Sequence, residues 1–81
     1  MDFEERTTLD RLYEELEDRD LAERMWTLAL QHAATFKATG TGGSRLLGAV
    51  DVLAVLTGDS NEMVARNLGV FWQIKAAGLD L

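Results

Sequence analysis

From Leu46 to Leu56 the chain carries a single charge, Asp51, while its Leu and Val side chains point in nearly every direction of a helix. A helix of that kind is stable in water only where neighbours cover all of its sides. Gly48, Ala49, Asp51 and Ala54 suit a strand poorly, so the segment reads as helical despite the β-branched Val50, Val52 and Val55. The chain has only 81 residues to supply the cover. A domain this small hides only about 60% of the surface that its unfolded chain exposes. The rest of the sequence has to be arranged round this one segment.

Helical spacing dominates on both sides of it, and the expected class is all-α: one domain over residues 1–81, a compact bundle of four short helices. Leu9, Leu12, Tyr13 and Leu16 fall at i, i+3, i+4 and i+7 and predict a first helix over about 8–18. Thr7 or Thr8 is placed to cap it. Asp20 followed by Glu23 marks the start of a second helix over about 20–37. Its stripe is Leu21, Met25, Leu28, Ala29, His32, Ala33 and Phe36, widened by Ala22, Trp26 and Leu30. Gly40, Gly42 and Gly43 then place a flexible loop at 38–43, with Ser44 as the cap of a third helix over 44–57. Gly58 closes that helix. Asp59 with Glu62 opens the fourth, read as one piece over 59–77 and stopped by Gly78.

The inventory of reactive side chains is short. There is no Cys, so disulfides, thiolate zinc sites and cysteine nucleophiles are excluded. His32 is the only histidine and has no acid at i−3 or i−4, which leaves a di-metal carboxylate bundle without its Glu-x-x-His motifs. Ser44 and Ser60 stand where caps are expected, and no Gly-x-Ser-x-Gly elbow is present. The run from Gly40 to Ser44 lacks the Gly-Lys-Ser/Thr ending of a phosphate loop. No metal, cofactor or catalytic residue is expected, and the chain reads as a non-enzyme. No charge-free run within a helix approaches the ~20 residues that span a membrane. The acidic start, MDFEER, is unlike a signal or transit peptide, so a cytoplasmic location is expected. Arg outnumbers Lys six to two, a coding bias that suggests a prokaryotic or phage source.

Charge gives the functional expectation. Residues 1–20 hold nine carboxylates against three arginines, whereas residues 21–81 hold five acids against five bases. The whole net charge of −6 therefore belongs to the first quarter of the chain. Such a field repels nucleic acid and attracts basic surfaces. A helix-turn-helix reading of Val52 to Trp72 also fails on charge, since its second helix opens on Asp59 and Glu62 and offers only Arg66 and Lys75 as cations. The expected function is a small acidic regulatory or adaptor protein. It would dock a basic partner protein through Asp10, Glu14, Glu17 and Asp18, in the manner of a phage inhibitor or antitoxin of a nucleic-acid-binding machine. The alternative is a helical dimer of structural or secretion-chaperone type, holding a client segment in an apolar groove. Trp26, Leu30, Phe71 and Trp72 are the candidate apolar surface, because one thin bundle has little room to bury four such side chains. A homodimer is the economical way to cover them.

Overall fold

The computed structural model describes residues 7–81, and every regular element among them is helical. Five helices follow in order: α1 (Thr8–Leu16), α2 (Arg19–Thr39), α3 (Gly43–Thr57), α4 (Asn61–Asn67) and α5 (Phe71–Ala76). The first three pack against one another, with α4 on α3 and α1, and α5 on α4. Asp2, Glu4, Glu5 and Arg6, part of the acidic first quarter, lie outside the described residues.

Each boundary has a local cause. Thr7 starts α1 through a reciprocal box: its hydroxyl accepts the Asp10 N–H at 3.2 Å, and the Asp10 carboxylate accepts the Thr7 N–H at 3.3 Å. The second helix begins one position before the expected Asp20, because Asp18 is the residue that caps it, accepting the Leu21 N–H at 3.0 Å. Asp18→Ala should therefore cost about 1 kcal/mol in a denaturant titration, and Asp20→Ala close to nothing. At the third helix Gly42 stands at the cap with no side-chain bond, and Ser44 lies inside the first turn. The glycine loop is accordingly short, since Ala38 and Thr39 finish α2. For α4 the cap is Ser60, whose hydroxyl accepts the Met63 N–H at 3.1 Å, and Asp59 is released for other work.

The single fourth helix expected over 59–77 is two helices. Gly69 sits at φ +73°, donating to the Arg66 carbonyl at 3.0 Å, while Val70 donates to the Ala65 carbonyl at 3.0 Å. Those two bonds make a Schellman ending, and the fully buried Val70 supplies the apolar contact that accompanies it. The same pair of bonds, from Gly78 to Lys75 and from Leu79 to Ile74, closes α5.

Burial falls on a narrower face of α2 than its apolar stripe suggests. Ala22, Ala29, Ala33 and Phe36 are buried, whereas Leu21 and Leu28 are exposed. Small alanines let α2 approach its neighbours closely, which excludes the larger leucines from the contact. From α3, Leu46, Val50 and Leu53 enter the core beside Leu12, Val64 and Ile74. Two polar links tie α1 to the far end of the chain. The Arg11 guanidinium lies 3.2 Å from the Asp59 carboxylate, itself nearly enclosed, and the Thr8 N–H donates to Asn67 Oδ1 at 3.1 Å.

Candidate functional site

The end of α1 and the start of α2 form an acidic corner. Residues 14–24 contain six carboxylates against Arg19 and Arg24, and Glu14, Glu15, Glu17, Asp18, Asp20 and Glu23 are all exposed. Helix geometry puts Asp10 and Glu14 on one stripe at i and i+4, and Glu17 follows at the left-handed end of the helix. Asp18 lies just beyond the helix end. The expected residues thus share one side of the molecule, but they are not equivalent. Asp10 and Asp18 are occupied by their own helix starts, and Glu14 has a polar partner as well. Glu15, Asp20 and Glu23 add three more exposed carboxylates to the same corner.

Local electrostatics oppose this clustering. No basic residue occupies the last turn of α1, where the negative end of the helix dipole already lies. Arg11 is turned to Asp59, and Arg19 is drawn over the Tyr13 ring with its guanidinium carbon 4.0 Å from the centroid. Glu17 is the one non-glycine residue at positive φ among those described, at +54°. A left-handed position with a side chain costs about 1 kcal/mol relative to glycine. Glu17→Gly should therefore raise the melting temperature by several degrees, a gain that thermal denaturation at neutral pH would register.

The four candidate apolar residues do not form one patch. Phe71 is 5% exposed and belongs to the core, a correction to its placement on the surface. The backbone break at Gly69 reorients α5 and turns that ring inward. Trp72 remains 68% exposed, meeting the edge of Phe71 at 4.9 Å and 75° between planes. Leu30 is exposed on α2, and Trp26 is half-buried against the core.

A different apolar surface lies between α2 and α3. A groove of about 330 Å³ runs between Met25, Leu28 and His32 on one side and Gly48, Val52 and Arg45 on the other. Leu28 is 53% exposed, and Val55, further along the outer side of α3, is 83% exposed. The sequence signal was the all-round apolar character of α3, which does not tell inner face from outer.

No three His, Asp or Glu side chains among the described residues gather as metal ligands, and no described helix is long and apolar enough to cross a membrane. Comparison with known proteins yields no family model, curated protein or solved structure that matches this chain.

Proposed function

We propose that this chain is a small non-catalytic regulatory or adaptor protein that docks a basic surface of a partner protein on the acidic corner of α1 and α2. The observation that carries the reading is Glu17. A carboxylate is kept at a left-handed helix end where glycine would be cheaper, at the negative pole of α1, among other exposed acids. Strain and like-charge crowding retained together are what a binding surface requires and a purely structural corner does not. Carboxylates in that density resemble the charge a nucleic-acid-binding surface meets on phosphate, so the partner fits the class of proteins that bind nucleic acid. The working unit is a pair of copies, since one chain leaves Val52 and Val55 of α3 and Leu28 of α2 in water.

The test is capture of partners from nuclease-treated lysate, comparing the full chain with a variant carrying Glu14→Gln, Glu15→Gln, Glu17→Gln and Asp18→Asn. A basic protein held by the parent, released by heparin and lost from the variant supports the reading. Equal capture by both chains overturns it.

A further inference from the structure

We propose that the α2–α3 groove is a binding site for a small anionic amphiphile, a straight-chain aliphatic carboxylate. Arg45 and His32 hold its head, and its tail lies along Met25, Leu28 and Val52. The site depends neither on the basic partner nor on the pairing proposed above. A ligand here covers Leu28 and Val52, and Val55, which is outside the lining, is left to the pairing.

Charge complementarity at one end of the groove is the first observation. The chain has 14 acidic residues and a net charge of −6, yet no carboxylate lines the groove, where Arg45 and His32 are the only polar side chains. Arg45 has no ion pair and His32 no hydrogen bond among the described residues. Their donors are therefore open to a group from outside the chain, and a guanidinium meets a carboxylate through two parallel bonds. His32 is in the second half of α2 and Arg45 in the first turn of α3, so both belong to the end nearer the connection between the helices. The positive pole of α3 adds to that end, since no acid stands in its first turn.

The size and the floor of the groove set the rest of the ligand. A short glycine connection folds α3 back along α2, which puts Met25 and Val52 at the end away from the donors. From the level of His32 to that of Met25 the groove runs about 10 Å, the length of an extended chain of about eight carbons. Its volume of about 330 Å³ is that of a small-molecule site, at the lower end of the range of about 300–1,000 Å³. Gly48 lies in the interior of α3 on this lining, and a side chain added there would meet nothing within 4 Å. Glycine lowers helix propensity at such a position. A floor left open beneath a ligand is the return, because any side chain at 48 would fill the space.

Isothermal titration calorimetry of the full chain with octanoate tests the site. The expected outcome is saturable binding of one octanoate per chain. Octan-1-ol, which has the tail without the charge, and butyrate, which has the head on a short tail, each bind at least tenfold more weakly. Arg45→Gln weakens octanoate at least tenfold, the loss expected of one charge-assisted bond. Gly48→Leu, which has open space to enter, abolishes binding while circular dichroism shows helical content unchanged. Absence of saturable binding overturns the site and leaves the acidic corner standing. Octan-1-ol bound as tightly as octanoate overturns the charged end. Octanoate bound equally by Gly48→Leu overturns the location. A helical peptide that occupies this groove and is not displaced by octanoate assigns the face to a protein client and contradicts the proposal.

Discussion

Leu53→Ala is expected to lower the unfolding free energy by about 2–5 kcal/mol. Leu53 is 2% exposed at the centre of α3 and forms the floor of the α2–α3 groove. Its truncation removes core contacts and also connects the core to the groove above it. Some relaxation into that space is available, which places the expected loss in the lower half of the range. A domain of this size holds about 5–10 kcal/mol in all, and each kcal/mol moves the melting temperature by about 4–8 °C. Urea titration at a concentration where the chain is dissociated separates this loss from any loss of pairing. A midpoint shifted with an unchanged slope is the expected form. A cost under 1 kcal/mol would remove α3 from the centre of the fold.

Phe71→Ala is expected to cost about 3–5 kcal/mol, whereas Trp72→Ala should cost less than about 1 kcal/mol. The two rings are adjacent in sequence and touch edge to face, yet Phe71 is 5% exposed and Trp72 is 68% exposed. Arg66 covers the Phe71 ring with its guanidinium carbon 4.0 Å from the centroid, so the ring is sealed from the solvent side as well. Calorimetry on the two variants distinguishes a core residue from a surface one without reference to any partner. Equal and small losses would return Phe71 to the surface.

Much of the fold is legible in the sequence because its signals are local. Thr7 with Asp10, Gly58 and Gly78 act within one turn of the chain, and each does what its residue type predicts. The misplaced starts, Asp20 for Asp18 and Asp59 for Ser60, arise where two capable caps stand within two residues of each other. There the choice depends on where the preceding segment ends. Asp59 is drawn away by Arg11, a partner distant in sequence that no spacing rule reveals. The break at Gly69 was readable, since a glycine followed by a buried valine is the sequence form of a Schellman ending. Helical spacing that runs on from Met63 to Ile74 hides the break.

Burial on α2 was the least legible feature. Leucines outrank alanines in any hydrophobic pattern, but helix packing distance is set by the smallest side chains in the contact. Ala22, Ala29 and Ala33 therefore took the core, and Leu21 and Leu28 were left outside. That reversal moves the apolar surface from the aromatic residues to the α2–α3 groove. The acidic corner was visible in composition alone, whereas the strained carboxylate of Glu17 required a backbone angle.

The central claim is that the acidic corner is the docking surface, and the measurement that addresses it most directly is a residue-resolved footprint. The captured partner would be titrated into isotope-labelled chain, and amide chemical shifts followed at low and high salt. The account predicts shifts centred on Glu14, Glu15, Glu17 and Asp18 that fade as ionic strength rises, because exposed charges are screened within about 10 Å at 0.1 M salt. Shifts centred on Leu28, Gly48 and Val52 that persist at high salt would contradict it.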